Sequence, residues 1–283
     1  MSILVVGATA HFGRQTVESL AASGHQVRAL TRHPDKAGLP AGVEVVQGDL
    51  TRPDSLAPAV EGVEAMFLVL PYQMNPQALL EAATTAGVRR IVFLSSGAID
   101  DHNDTQPDVI AAYHHGVEQA IAATGAEHTF LRLFFPAINS LAFAMQLAGG
   151  DVIRAPYAEA ASAPIHESDV ADVAARVLTE DGHNGKVYDL TGPASLTQAE
   201  QVRVLGSVLA RPLTFEELDP EPVRRQLAQF MDAEFVNALF DLMAQTVGKR
   251  ATVTRIVEQI TGHAARSYRQ WAADHLNDFT VAG

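Results

Sequence analysis

Near its N-terminus the chain reads Ile3-Leu4-Val5-Val6-Gly7-Ala8-Thr9-Ala10-His11-Phe12-Gly13, and this stretch decides the fold. Its apolar run predicts a buried parallel strand. Gly7 permits a tight turn after that strand, and Gly13 permits close packing of the following helix. Backbone N–H groups at the start of such a helix can bind a pyrophosphate. The G-x-x-A-x-x-G spacing therefore predicts a dinucleotide-binding loop, although strand–glycine–helix turns also occur without a ligand.

Outward from this loop, short apolar runs alternate with helical patterns as far as residue 132. This alternation predicts parallel strands joined by crossover helices. Beyond about residue 193 the helical periodicity dominates. We expect an α/β fold with a first domain over 1–150, to which 165–192 return, and a smaller, mostly helical domain over 193–283. The expected strands are 3–6, 27–30, 43–46, 66–70, 91–95, 129–132 and 186–190, and the expected helices are 15–22, 76–86, 109–124, 170–178, 198–209, 223–246, 253–260 and 267–276.

Composition excludes several classes of function. Twenty Lys and Arg against 33 Asp and Glu give the 283-residue chain a net charge of −13. This charge disfavours nucleic acids and anionic membranes as partners. The absence of cysteine excludes disulfides and thiolate metal sites and suits a reducing compartment. With no basic leader and no apolar run of about 18–20 residues, we expect a cytoplasmic protein. The acidic run 100–104 is more typical of a solvated loop than of a metal site, and we expect no metal.

The second expected strand indicates which nicotinamide cofactor binds. NAD sites usually place an acidic residue at the end of this strand to accept hydrogen bonds from the ribose. Here Arg32 stands in that place, with His33 and Lys36 beside it and Arg14 in the first helix. A guanidinium can bind a 2′-phosphate through two hydrogen bonds. The pattern favours NADP(H), although solvated charges at a strand end would look the same.

Further stretches carry a resemblance to a known family: Gly48-Asp49-Leu50, Phe93-Leu94-Ser95-Ser96, the run 130–139, Ile165-His166-Glu167-Ser168-Asp169-Val170-Ala171, and Tyr188-Asp189-Leu190-Thr191-Gly192-Pro193. Together they resemble the NmrA-like branch of the atypical short-chain dehydrogenases/reductases, over nearly the whole chain. Leu133 departs from the proline usual there. The resemblance implies a Rossmann-like, doubly wound sheet. With the loop positions it gives these expected cofactor-binding residues: Gly7, Thr9, Ala10, His11, Phe12, Gly13, Arg32, Lys36, Asp49, Leu50, Leu70, Pro71, Ser95, Ser96, Gly97 and Phe134.

The same resemblance implies a Tyr-x-x-x-Lys pair on the helix after the fifth strand, commonly followed four residues later by Glu. If Glu118 sets the register, Ile110 takes the tyrosine position and His114 takes the lysine position. The usual proton donor is then missing. His114, Tyr113 one helical turn from Ile110, and no protein acid at all remain three alternatives for the catalytic proton.

The branch includes NADPH-dependent quinone reductases, a triphenylmethane-dye reductase and redox-sensing regulators. We therefore expect hydride transfer from NADPH to a quinone-like or conjugated ketone substrate, a specialised-metabolite ketoreductase being one form. Phe134, Phe135, Tyr72 and Met145 suggest an aromatic, apolar substrate pocket. The alternatives are a non-catalytic NADP(H) redox sensor and an isomerase or lyase that retains the cofactor. The oligomeric state stays open.

Overall fold

A seven-stranded parallel sheet forms the centre of the computed structural model, which describes residues 1–280, the last of them by its backbone alone. The strand order is β3-β2-β1-β4-β5-β6-β9. The chain builds outward from β1 to β3 and then starts again on the other side of β1, so the topological switch point lies between β1 and β4. Ligands of doubly wound sheets bind at that point, beyond the carboxyl ends of the strands. The strands are β1 Ser2–Val6, β2 Gln26–Thr31, β3 Glu44–Gln47, β4 Ala65–Leu68, β5 Arg90–Ser96, β6 Glu127–Leu133, β7 Val152–Ala155, β8 Ala161–Ser162, β9 Lys186–Leu190, β10 Leu196–Thr197 and β11 Thr214–Glu217.

Helices cover both faces of this sheet. Ile3 and Val5 of β1 belong to one buried core, and Leu4 and Val6 belong to the core on the opposite face. Because both faces are covered, residues 3–6 of the strand are all apolar rather than alternately apolar and polar. The helices are α1 His11–Ala22, α2 Ala57–Val60, α3 Gln77–Ala86, α4 Val109–Ala122, α5 Ala144–Leu147, α6 Glu167–Thr179, α7 Gln198–Leu209, α8 Pro220–Leu227, α9 Ala233–Thr246, α10 Ile256–Thr261, α11 Tyr268–Asp274 and α12 Leu276–Thr280, with 3-10 turns at Pro34–Lys36, Pro53–Ser55 and Ala137–Phe143.

A smaller lobe lies beyond the carboxyl ends of β5 and β6 and has its own core. Its buried residues come from 137–153 and from 202–279, and Trp271 is fully buried among them. Two short pairings, β7 with β11 and β8 with β10, support it. This core includes residues on both sides of position 150, and the division into two domains stays a prediction. Among residues 1–280, no helix combines the length and apolar character needed to cross a bilayer.

The prediction of a single helix over 223–246 is wrong. The chain forms α8 and α9 instead, separated by a turn at 228–232. The side chain of Asp232 accepts a hydrogen bond of 2.9 Å from the backbone N–H of Phe235 and so caps α9. An N-terminal cap of this kind starts a new helix in preference to continuing the old one. Strand β11, between α7 and α8, was not among the expected strands.

Buried charges join α6 to the C-terminal helices. The Nδ1–H of His275 donates to the carbonyl of Trp271 at 2.9 Å, and Nε2 lies 2.7 Å from a carboxylate oxygen of Glu167. Since both ring nitrogens face acceptors, the ring carries two protons. Burial is the largest single effect and opposes that charge, but the hydrogen bonds to Glu167 and Trp271, together with the nearby carboxylate charges, raise the pKa of His275. Beside it, Nε2 of His166 donates to Asp274 at 3.1 Å, because its Nδ1 accepts from the backbone of Ser168.

Candidate active site

The topology gathers the predicted cofactor-binding residues at one edge of the sheet. Residues 7–13 follow β1, 32–36 follow β2, 48–50 follow β3, 69–71 follow β4, and Gly97 and Phe134 follow β5 and β6. In a parallel sheet all these positions lie beyond the same, carboxyl ends of the strands. Their cofactor contacts remain a prediction.

The loop Gly7–Gly13 has the geometry that a pyrophosphate site needs. Gly7 has a φ of +76°, and a Cβ there would lie 2.7 Å from the carbonyl oxygen of Val69. A Cβ on Gly13 would overlap the carbonyl of Gly7, so glycine is required for α1 to pack this closely. Helix α1 begins after Ala10 with no side-chain cap and no acidic residue in its first turn. The first backbone N–H groups of α1 and the positive end of its helix dipole suit an anion, so this loop fits the pyrophosphate of a dinucleotide.

The basic residues around this loop fall into two groups. Arg14 donates to the carbonyls of Ala37 at 2.6 Å and Gly38 at 2.7 Å, which fixes the loop after β2. Arg32 and Lys36 are exposed, and within residues 1–280 their side chains form no hydrogen bond or ion pair. They remain free to bind an anion.

Asp49 lies close enough to Arg32 for their charges to interact. Its carboxylate accepts hydrogen bonds from the backbone N–H and the hydroxyl of Thr51, and these bonds, with the smaller effect of Arg32, lower the pKa of Asp49. Of the other expected contacts, Leu50 and Leu70 are half-buried against the core, whereas Pro71 is exposed.

A cavity of about 330 Å³ opens between the ends of β5 and β6 and the small lobe. Gly97 and Phe134 form one wall, and a Cβ on Gly97 would lie 2.8 Å from ring carbons of Phe134, so the ring lies flat on the glycine. Phe134 is 48% exposed, although a large aromatic side chain is usually buried. The lining comprises Ser96, Gly97, Ala98, Phe134, Phe135, Asn139, Ala160, Ala161, Ser162, Ala163, Gln198, Leu239, Leu242, Met243, Thr246, Lys249, Arg250, Ala251 and Thr252.

Two of the four expected pocket residues lie elsewhere. Phe134 and Phe135 line the cavity. Tyr72 instead packs against the rings of Tyr113 and Phe235, at centroid distances of 5.3 and 4.8 Å. Met145 lies outside the cavity and is 87% exposed. Their aromatic or apolar residue type suggested them, but residue type cannot show which side of a loop faces the ligand.

The two candidate acids on α4, Tyr113 and His114, both form hydrogen bonds within the protein, and neither is among the cavity-lining residues. The hydroxyl of Tyr113 lies 2.9 and 3.0 Å from the carbonyls of Pro71 and Met74, and burial raises its pKa to about 12. The Nδ1–H of His114 donates to the carbonyl of Ile110 at 2.8 Å, which fixes the tautomer. Burial lowers the pKa of His114, so the ring is neutral at pH 7.

A buried ionic network includes Ser95, the neighbour of a cavity-lining serine, and the sequence did not predict this network. Glu118 accepts hydrogen bonds from Ser95 at 2.6 Å and from Arg132 at 2.7 and 3.0 Å. Arg132 also donates two bonds to Asp101, at 2.7 and 2.8 Å. The Ser95 hydroxyl thus faces α4, and the neighbouring Ser96 lines the cavity. Arg132 within the apolar run 130–135 was the available signal, since a buried guanidinium needs carboxylate partners.

Known proteins resemble this chain over nearly its full length. The model of the NAD(P)H-binding family matches residues 7–181. A (4-alkanoyl-5-oxo-2,5-dihydrofuran-3-yl)methyl phosphate reductase of Streptomyces griseus is 37% identical over 281 residues, covering 98% of this chain and 99% of the relative. An NAD(P)H azoreductase of Xenophilus azovorans is 31% identical, covering 99% and 100%. The structure of the NADPH-dependent quinone oxidoreductase of Escherichia coli, complexed with NADPH, superposes with a TM-score of 0.80 at 27% identity, covering 97% and 99%.

These findings confirm the predicted Rossmann-like fold and the predicted family. They also confirm the NADP(H) cofactor to the extent that the family is described as NAD(P)H-binding. The chain belongs to the NAD(P)H-binding family, within the NmrA-like branch of the atypical short-chain dehydrogenases/reductases, and is an NAD(P)H-dependent oxidoreductase.

Proposed function

We propose that this protein uses NADPH to reduce small conjugated carbonyl compounds, such as quinones, without a protein general acid. The observation that carries the proposal is the cavity beside Gly97 and Phe134, which is apolar over most of its lining and includes neither Tyr113 nor His114. A site of this kind suits a flat acceptor that needs little help with its negative charge.

Arg32 and the loop Gly7–Gly13 are the residues that would hold the cofactor. A free, exposed guanidinium at the end of β2 favours the 2′-phosphate of NADPH, because no carboxylate stands there to accept from the hydroxyls of NADH. When bound, NADPH supplies a hydride to the acceptor.

The cavity residues orient the acceptor and exclude water. Phe134 offers an exposed aromatic face against which a conjugated ring can stack. Asn139 also lines the cavity, and its side-chain amide has no hydrogen-bond partner within residues 1–280. That amide can donate to a carbonyl oxygen on which negative charge develops.

The proton comes from water in this proposal. A neutral His114 whose Nδ1–H is bonded to Ile110 is a weak acid, as is Tyr113 with a pKa near 12. An enolate or hydroquinone anion is stable enough to collect its proton after the hydride has arrived. The acceptor therefore needs conjugation, and a simple ketone lacks it.

The relatives' names support this substrate class. They describe reduction of a quinone, of azo compounds and of a dihydrofuran whose ring double bond carries both an alkanoyl group and a ring carbonyl. Each of these acceptors is conjugated, and each can delocalise the added electron pair.

The test follows NADPH absorbance with menadione as acceptor and cyclohexanone as the unconjugated control. We expect menadione to be reduced at least about a hundredfold faster, the lower end of what a general acid contributes. We also expect His114→Ala and Tyr113→Phe to keep more than about a tenth of kcat.

Three outcomes would contradict the proposal. Bound NADPH that no conjugated acceptor oxidises would favour the redox sensor. Conversion of a substrate with no net cofactor oxidation would favour an isomerase or lyase. A hundredfold loss of kcat for Tyr113→Phe, with NADPH affinity intact, would show that this tyrosine is the acid.

A further inference from the structure

Two unpaired cations line the cavity of a strongly acidic protein. Lys249 and Arg250 both contribute to the lining, and within residues 1–280 neither side chain has a hydrogen-bond or ion-pair partner. Among the described residues of the lining there is no Asp or Glu. Since the whole chain carries a net charge of −13, its long-range field repels anions, and a local positive site must offset that field for an anion to bind.

The segment that carries these cations is anchored at several points. Val247 forms a bridge with Ala160, and the backbone N–H of Ala251 donates to the hydroxyl of Ser195 at 2.9 Å. The N–H of Gly248 approaches the carbonyl of Glu159 at 3.4 Å, and the Glu159 residue is not part of the lining. The backbone that carries Lys249 and Arg250 is therefore held at the cavity by the fold.

We propose that Lys249 and Arg250 bind a phosphate group carried by the substrate, while the apolar wall receives its conjugated ring. This inference rests on the proposed function and narrows its substrate class. A guanidinium binds two oxygens of a phosphate as a fork, and an ammonium adds a point charge for the remaining negative charge. One arginine would suffice to bind the single negative charge of a carboxylate, whereas two cations match the two negative charges of a phosphate ester.

This anion site lies apart from the phosphates of the cofactor. Arg32 follows β2, and three inter-strand steps separate β2 from β5, where the cavity begins. At about 4.8 Å a step, the separation is roughly 14 Å. The predicted pyrophosphate loop follows β1, between these two places.

The probes are 1-naphthyl phosphate and 1-naphthol, titrated calorimetrically into NADP⁺-saturated protein. They share the ring system and differ in the phosphate. We expect the phosphate ester to bind at least about tenfold more tightly, as charged hydrogen bonds imply, and this preference to shrink with added salt. The double variant Lys249→Gln/Arg250→Gln loses the preference. Lys186→Gln is the matched control, because Lys186 is exposed and unpaired within the described chain but begins β9, at the amino ends of the strands, whereas the cavity lies beyond their carboxyl ends.

Equal binding of the two probes by the wild-type protein would overturn the inference, as would a preference that survives in the double variant. A loss of NADP⁺ affinity in the double variant, as large as the loss for naphthyl phosphate, would assign the cations to the cofactor instead. The binding assay does not depend on turnover. If the protein reduces menadione but binds the two probes equally, this inference alone is rejected. If it does not reduce menadione but clearly prefers the phosphate ester, the proposed function alone is rejected.

Discussion

Replacing Glu118 by glutamine tests how much the buried ionic network stabilises the fold. Glu118 and Arg132 side chains are each 6% exposed, and the carboxylate accepts two charged hydrogen bonds from the guanidinium besides the one from Ser95. The amide removes the charge and leaves Arg132 with Asp101, whose side chain is 63% exposed and screened by water. Removing one partner of a buried ion pair costs about 3–5 kcal/mol. Because the amide oxygen still accepts one bond, we expect the lower value, about 3 kcal/mol.

For a chain of this length the entropy of unfolding is roughly 0.6 kcal/mol per kelvin, so Tm should fall by about 5 °C. Thermal unfolding followed by circular dichroism measures this shift. Glu216→Gln is the matched control, since Glu216 pairs with Arg154 at 3.0 Å with both side chains about half exposed. That surface pair should contribute at most about 1 kcal/mol. Equal shifts of Tm for the two variants would refute the reasoning.

Three further predictions follow from the site and its supports. Arg32→Ala should weaken the binding of NADPH by about tenfold to a hundredfold and hardly change the binding of NADH, whereas Arg52→Ala should leave both affinities unchanged. If calorimetry showed equal losses of affinity for the two cofactors, Arg32 would not be the residue that binds the 2′-phosphate. Gly13→Val should abolish cofactor binding, because the valine side chain would collide with the carbonyl of Gly7 in the turn after β1. Undiminished NADPH affinity in a folded variant would contradict this. The folded-state pKa of His275 is raised above the ordinary 6.5, so its contribution to stability is complete below pH 6.5 and is lost as pH rises through the raised value. The pKa of Glu167 is lowered from 4.5, so its contribution is present above pH 4.5 and is lost on acidification. Urea midpoints of wild type and His275→Gln should therefore differ most between these two values, and a constant difference up to about pH 9 would sink the assignment.

Local signals were sufficient for the sheet and for the first cofactor loop. The apolar run 3–6 followed by Gly7 and Gly13 combines strand propensity, turn geometry and helix packing in one short segment. Such segments need no knowledge of distant contacts. The order of the strands then fixes which loops share an edge of the sheet.

The cavity could not be predicted in the same way, because its walls come from distant parts of the chain. Phe134 was a candidate through its place after β6, whereas the contribution of α9 and of Lys249 depends on how the small lobe packs. A Gly-Lys-Arg triplet after a helix resembles any solvated turn. The break between α8 and α9 was missed because the apolar periodicity of 223–246 continues across it.

The discontinuous core of the small lobe has a consequence for how the chain matures on the ribosome. Segment 137–153 is synthesised early, but its partner Trp271 is added more than a hundred residues later. Until then, apolar side chains such as Leu147 and Ile153 have no complete core to enter. A nascent chain arrested before α11 therefore exposes apolar surface to chaperones and proteases, although its predicted dinucleotide-binding loop has already been synthesised.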